Sequence, residues 1–260
     1  MKRTFLYILA ALLAASCKNS SVQNNKSEGD KPVITVTIEP LRYFTEAIAG
    51  DNFNVISMVP KGSSPETYDP TPQQLVDLAK SKAYFRIGYI GFEQTWMDKL
   101  TDNAPHLQFF DTSRGIDLIY DSSHAHHHHD ADEPHAHDSI QDDEHQHLLG
   151  VEPHVWSSAY NAQIIAGNIV NALCAIDKGN EEVYMERYKS LCNQIEHTDS
   201  LICHMLSAPN ADRAFMIYHP ALSYFARDYG LHQISIEENG KEPSPCLLYT
   251  SDAADEARSV

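Results

Sequence analysis

Hydrophobic positions along the chain fall into short β-type runs separated by helical periods. Val33–Ile38 (VITVTI) is a run of β-branched residues and predicts a strand. Pro40 then opens LRYFTEAIAG, whose apolar spacing suits a helix ended by Gly50. Phe53–Pro60 is a second strand, followed by a polar loop from Lys61 to Asp69. Thr71-Pro72-Gln73-Gln74 predicts a clean helix start: Thr71 caps, Pro72 takes the first helical position and Gln74 completes a capping box. AYFRIG (83–88) reads as a third strand, FEQTWMDKL (92–100) as a short helix, and HLQFFD (106–111) and GIDLIY (115–120) as strand-like pieces. Strands alternating with helices point to a parallel α/β layer.

The pattern then pauses and restarts. EPHVW leads into an apolar-periodic helix, Tyr160 to Ile176. Glu181 to Leu206 is a longer helix, with Val183, Met185, Tyr188, Leu191, Ile195, Leu201 and Ile202 as candidate buried positions. At 1.5 Å per residue it spans about 39 Å, long enough to join two lobes rigidly. AFMIY (214–218) is a strand, His219-Pro220 opens the helix ALSYFARDYG that stops at Gly230, and HQISI (232–236) is another strand. The predicted fold is α/β with two lobes, each a mostly parallel sheet flanked by helices, joined by one long rigid helix.

Both ends of the chain carry separate signals. Lys2 and Arg3, the apolar run Phe5–Ala15 and the small residues Ala14–Ser16 form a secretory signal, too short to span a bilayer. Cys17 directly after it resembles the lipid-bearing cysteine of a bacterial lipoprotein. Residues 18–32 read as a flexible tether. The expected body runs 33–180 as the first lobe, 181–207 as the linking helix and 208–245 as a partial second lobe. Residues 246–260 (CLLYTSDAADEARSV) match nothing expected there and read as a non-native tail on a truncated frame.

Charge and cysteine usage narrow the function classes. The formal charge of −17 becomes −19 without Lys2 and Arg3, which excludes nucleic acid as a partner and favours cations. Cys174, Cys192 and Cys203 are an odd set for an oxidising compartment. Cys192 and Cys203 share a helix face and read as small buried apolar groups, with one bridged pair left open.

Nine of the 15 histidines lie in one acidic stretch within residues 121–150: His124, His126, His127, His128, His129, His135, His137, His145 and His147. That stretch holds eight acids and no lysine or arginine, a composition that points to metal contact. Three further residues sit at strand-to-helix junctions, where open α/β sheets place ligands. Glu66 follows the second strand, His154 precedes the helix after the His-rich stretch, and His219 follows the AFMIY strand. One carboxylate and two imidazoles suit zinc or manganese. No HExxH, GxSxG or Walker motif is present, so a zinc hydrolase has no support and the chain reads as a non-enzyme.

GDNFNVISMVPKGSSPETYDPTPQQL, EPHVWSSAYNAQIIAGNIVNAL and YHPALSYFARDYGL resemble, in order and spacing, three motifs of the metal-binding lipoproteins that feed zinc or manganese ABC transporters (the cluster A-I solute-binding proteins). The resemblance runs from about Val33 to Pro245, and an acidic His-rich loop before the second motif is typical of zinc members. It implies a metal held between two lobes by a histidine from each motif and a carboxylate late in the second lobe. His154 and His219 match the second and third histidines, while Glu66 stands where the first is usual, making the site more anionic and less soft. By resemblance the second lobe lacks roughly 60 to 70 residues, including the fourth ligand.

The resemblance implies a periplasmic, lipid-anchored monomer that carries Zn²⁺, or Mn²⁺, to a membrane permease. The alternatives are an envelope metal buffer acting through the His-rich loop and a manganese-preferring binding protein. Because metal displaces protons from imidazole, affinity measured at pH 5 is expected to fall below that at pH 7.5, given a free-imidazole pKa of about 6.5.

Overall fold

A computed structural model describes residues 31–120 and 150–237; the nine histidines of 124–147, Cys17 and the 246–260 tail lie outside them. Four parallel strands make the first sheet: β1 (Val33–Val36), β2 (Asn54–Ser57), β3 (Ala83–Arg86) and β4 (Gln108–Asp111), in the order β2-β1-β3-β4. β1 is central, pairing Ile34 with Val55 on one side and with Ala83 on the other. Its β-branched residues are almost wholly buried, as a parallel strand covered on both faces requires. GIDLIY is not a strand; a single antiparallel bridge joins Tyr120 to Val151. Thr112, Ser113 and Ile116 are buried, so the chain turns into the core after β4 instead of continuing along the sheet.

Helices α1 (Glu39–Ala49), α2 (Pro72–Leu78) and α3 (Gly91–Asn103) cross over between these strands. Thr71 and Gln74 form the expected capping box, and the Gln74 amide also donates to the Met58 carbonyl (2.7 Å), fixing the loop after β2. α4 (Ala159–Ile176) follows a 3-10 turn at Val155–Ser157, with Ser158 as its cap. Its 18 residues are long and apolar enough to cross a membrane, yet Ile165, Ala166, Ile169, Val170 and Leu173 are buried in the protein core. A buried core helix meets the same length test.

α5 (Glu181–Leu206) is one continuous helix of 26 residues, as the periodicity predicts. It packs on α1 and α4 through Tyr184 and Leu191, both fully buried or nearly so. Tyr184 donates to Asp177 (2.5 Å) and accepts from Asn52 (3.1 Å). The predicted buried set needs correction: Val183, Met185 and Leu201 are exposed, and Tyr188, Ile195 and Ile202 are half-buried. Tyr184 takes the place of its neighbours because its ring covers the α1 end while its hydroxyl satisfies Asp177. Cys174 and Cys192 are half-buried, Cys203 is exposed, and all three are free thiols, so the buried role assigned to Cys203 is also corrected.

Beyond α5 lie β5 (Ala214–Ile217), α6 (Ser223–Tyr229) and β6 (His232–Ser235). β5 and β6 pair in parallel, Ile217 with Ser235, which restarts the β-α-β unit. The predicted helix at His219-Pro220 begins only at Ser223, because a tight turn from the Ala221 amide to the His219 carbonyl (2.7 Å) comes first. Its end is as expected: Gly230 takes the left-handed conformation (φ +62°), and the Leu231 amide reaches back to the Ala226 carbonyl (2.8 Å).

At the carboxyl ends of β1 and β3 the buried carboxylate of Glu93 accepts from Thr37 (2.5 Å), from the Ile87 amide (2.9 Å) and from the Gly88 amide. Burial pushes its carboxyl up from the ordinary range, against the pull of those donors. Glu93→Ala leaves the buried Ile87 amide and the half-buried Gly88 amide without this acceptor and is expected to destabilise by about 2–4 kcal/mol in urea melts. The raised folded pKa means the folded state holds the proton more tightly than the unfolded chain. This contribution to stability is full below the unfolded carboxyl value of about 4.3 and is lost as pH rises through the folded value. Glu93→Gln, which does not titrate, should remove that slope.

Candidate metal centre

His154 and His219 come from opposite sides of α5 in sequence and meet in space. Their Nε2 atoms lie 3.2 Å apart, with ring centroids 4.9 Å apart and planes at 72°. Each ring is anchored from behind by a carboxylate. His154 Nδ1 faces Glu152 Oε1 at 2.5 Å, and the same oxygen accepts the His154 amide at 3.0 Å. His219 Nδ1 faces Glu237 Oε2 at 2.8 Å. A carboxylate only accepts, so each one favours the tautomer with the proton on Nδ1, which turns Nε2 toward the other ring as the nitrogen able to bind metal.

At this separation the two Nε2 atoms are close enough to share a hydrogen bond or to bind one metal ion together. Two nitrogens on one tetrahedral zinc, each at about 2.0–2.1 Å, stand roughly 3.3–3.4 Å apart, close to the 3.2 Å seen. His154 is further held by Trp156, edge-on at 5.2 Å between centroids. Its side chain is 12% exposed, against 44% for His219, so the pair has one fixed and one more open member.

Backbone geometry explains the meeting. Pro153 restricts Glu152 to extended backbone, and the following 3-10 turn brings His154 to the start of α4. His219 and Glu237 each lie two residues past the paired ends Ile217 and Ser235, so parallel register sets them side by side. The Glu237 amide donates to the Tyr218 carbonyl (2.9 Å), which holds that register.

Glu66 is placed differently. Its exposed side chain accepts from the Gly91 amide at the start of α3 (3.0 Å), and the Phe92 amide donates to the Pro65 carbonyl (2.9 Å). Among the described residues no group of three or more His, Cys, Asp or Glu side chains converges as a ready-made metal cage. The histidines are brought together; Glu66 is tied to α3. A Cβ at Gly91 would lie 2.5 Å from Glu66 Oε2 and 2.8 Å from its carbonyl oxygen, so only glycine admits this approach. Gly91→Ala is expected to displace the 61–69 loop, read as loss of the Gly91–Glu66 contact in a crystal structure of the variant.

Glu152 and Glu237 were not among the residues singled out from sequence. Glu152 had a signal, standing two residues before His154. Glu237 had none without the β5–β6 register.

Two carboxylate-anchored imidazoles facing each other, on a parallel α/β lobe and a second parallel strand pair joined by one long helix, are the marks of a two-lobed metal-binding protein. Comparison with known proteins gives the family. The family model described as zinc-uptake complex component A, periplasmic, matches residues 34–250, and the chain belongs to that family. It is 29% identical over 251 residues to the high-affinity zinc uptake system protein ZnuA of Bacillus subtilis (strain 168), covering 94% of this chain and 74% of that protein. It is 26% identical over 249 residues to the manganese ABC transporter substrate-binding lipoprotein PsaA of Streptococcus anginosus, covering 91% and 72%. A solved structure, the crystal structure of ZnuA, superposes with a TM-score of 0.72 at 32% identity, over 87% of this chain and 79% of that one. Such relatives are substrate-binding components of ABC transporters, which is not an enzyme class.

Proposed function

We propose that this protein captures Zn²⁺ between its two lobes and delivers it to the membrane permease of a zinc-uptake ABC transporter. The observation that carries the reading is the pair of Nε2 atoms 3.2 Å apart, each ring held from behind by a carboxylate on Nδ1. Family membership supports zinc as the cargo. His154 and His219 supply two nitrogen donors, and Glu66 adds an oxygen donor from the 61–69 loop once metal draws its carboxylate from the Gly91 amide. The protein works in the cell envelope as a monomer, anchored by lipid on Cys17. The histidines at 124, 126–129, 135, 137, 145 and 147 collect metal for the site.

Isothermal titration of the full chain with Zn²⁺ tests this. Removal of residues 124–147 should lower the number of zinc ions bound but leave one tight site. Loss of the tight site on that deletion would favour an envelope buffer instead.

A manganese-preferring protein is the second reading, favoured by the oxygen donor at Glu66 and by the likeness to a manganese-transporter lipoprotein. Glu66→His replaces a hard donor with a softer one. Competition between the two metals should shift toward zinc in this variant. An unchanged ratio would remove Glu66 from the ligand set.

A further inference from the structure

We infer that the Tyr224 hydroxyl is a positioning group for metal capture: it holds the backbone of Glu152, and through Glu152 the ring of His154, in the orientation that faces His219. Tyr224 is wholly buried on α6, and its ring lies under the Arg227 guanidinium (5.0 Å). Its hydroxyl donates to the Glu152 carbonyl (2.9 Å) and accepts from the Ile119 amide (3.1 Å). The Glu152 amide in turn donates to the Ile119 carbonyl (2.9 Å). One hydroxyl therefore bridges the two chain segments that flank residues 121–149. Of those segments, the second carries the carboxylate that takes both the amide and the ring Nδ1 of His154.

The source of the hydroxyl matters. Tyr224 lies five residues after His219, on the first turn of the helix that this ligand precedes. The segment that presents one histidine thus also holds the segment that presents the other. Placement of the two rings is coupled across the lobes by a single side chain. Two further contacts from α6 reinforce the docking: Arg227 Nη1 donates to the Asp117 carbonyl (2.8 Å), and Ser158 donates to Asp228. Neither of these touches Glu152. Among the described residues, Tyr224 is the α6 side chain hydrogen-bonded to Glu152, the residue that orients the ring.

The inference rests on the zinc-capture reading for its consequence, but its geometry is testable without metal. Tyr224→Phe keeps the ring and removes the hydroxyl. Tyr229→Phe is the control: it is the same change on the same helix, and that hydroxyl donates to Asp199 on α5 (2.6 Å) rather than to the histidine side. In the metal-free full-length protein, ¹⁵N shifts of the His154 ring should report one Nδ1–H tautomer in the parent and in Tyr229→Phe. They should report a mixture of tautomers in Tyr224→Phe. With zinc, Tyr224→Phe should lose about tenfold in affinity, the lower end of what loss of a group orienting a metal ligand does. Tyr229→Phe should change stability alone.

Identical His154 shifts in Tyr224→Phe and the parent overturn the inference, whatever the zinc affinity. A parent chain that binds no zinc overturns the functional reading, and the metal-free shifts still decide the role of Tyr224. If Tyr224→Phe does not fold, amide exchange in the parent protein decides. The Ile119 amide donates to the Tyr224 hydroxyl, so its exchange should slow when zinc is added, by the reciprocity of linked equilibria. An Ile119 exchange rate indifferent to zinc overturns the coupling.

Discussion

Substitution of His154 by alanine should abolish most of the stabilisation that zinc gives this protein. A ligand present at a thousand times its Kd stabilises the folded state by about 4.1 kcal/mol. For a chain of this size each kcal/mol moves the Tm by roughly 2–4 °C, so saturating zinc should raise the parent Tm by about 8–16 °C. His154→Ala removes one of the two facing nitrogens and leaves the Glu152 carboxylate without the ring it orients. Loss of an orienting group alone lowers metal affinity by about 10–100-fold, so removal of the ligand should exceed a hundredfold. At the same zinc concentration most of the thermal shift disappears. His219→Ala should behave alike, since each Nε2 is the partner of the other. His197→Ala, on the exposed face of α5, removes an imidazole from the same protein and should leave the zinc shift intact. Differential scanning fluorimetry with and without zinc reads all three. Equal zinc shifts in His154→Ala and the parent would refute the assignment of the site.

The sequence pattern made the elements legible because each had a local cause. The capping box at Thr71 and Gln74, the β-branched run of β1 and the glycine stop at Gly230 are written within a few residues, and all three form as read. The two histidines were legible for the same reason: each follows or precedes an element end that a parallel α/β layer uses for ligands. What was not legible depends on pairing over distance. Glu237 reaches His219 only because β5 and β6 pair Ile217 with Ser235, and no local pattern fixes that register. Tyr224 reads as an apolar helix position, and its burial agrees, but the function of its hydroxyl depends on Ile119 and Glu152, more than 70 residues away. Val183 and Leu201 were misread because helical periodicity marks a face without saying how far its cover extends. Glu66 is the instructive case. Its position in the motif pointed to the metal, while its carboxylate takes the amide at the start of α3, where an anion at a helix N-terminus is stable in its own right.

The second large effect lies at the junction of α1 and α5. Gly50 ends α1 with φ +56°, and a Cβ there would overlap the guanidinium of Arg187. Arg187 Nη1 donates to the Ala49 carbonyl (2.7 Å), one of the last acceptors of α1, and so ties the long helix to the first lobe. Gly50→Val meets two costs. A β-branched residue at positive φ costs about 1–2 kcal/mol. Displacing Arg187 forfeits a charged hydrogen bond worth about 1.5–3 kcal/mol. The sum, about 2.5–5 kcal/mol, should lower the Tm by roughly 5–20 °C. Gly62 separates the two terms, because it also has positive φ (+89°) but a Cβ there meets nothing. Gly62→Val should therefore show only the backbone cost, about 1–2 kcal/mol. The metal dependence separates this junction from the site. Arg187 anchors α5 through Ala49, whereas the histidines are held by Glu152 and Glu237. Independent contacts add, so Gly50→Val should lower the Tm by the same amount with and without zinc. A zinc shift that shrinks along with the fold would instead mean that the seating of α5 on α1 sets the spacing of the two histidines, and that the helix transmits strain from the first lobe to the metal.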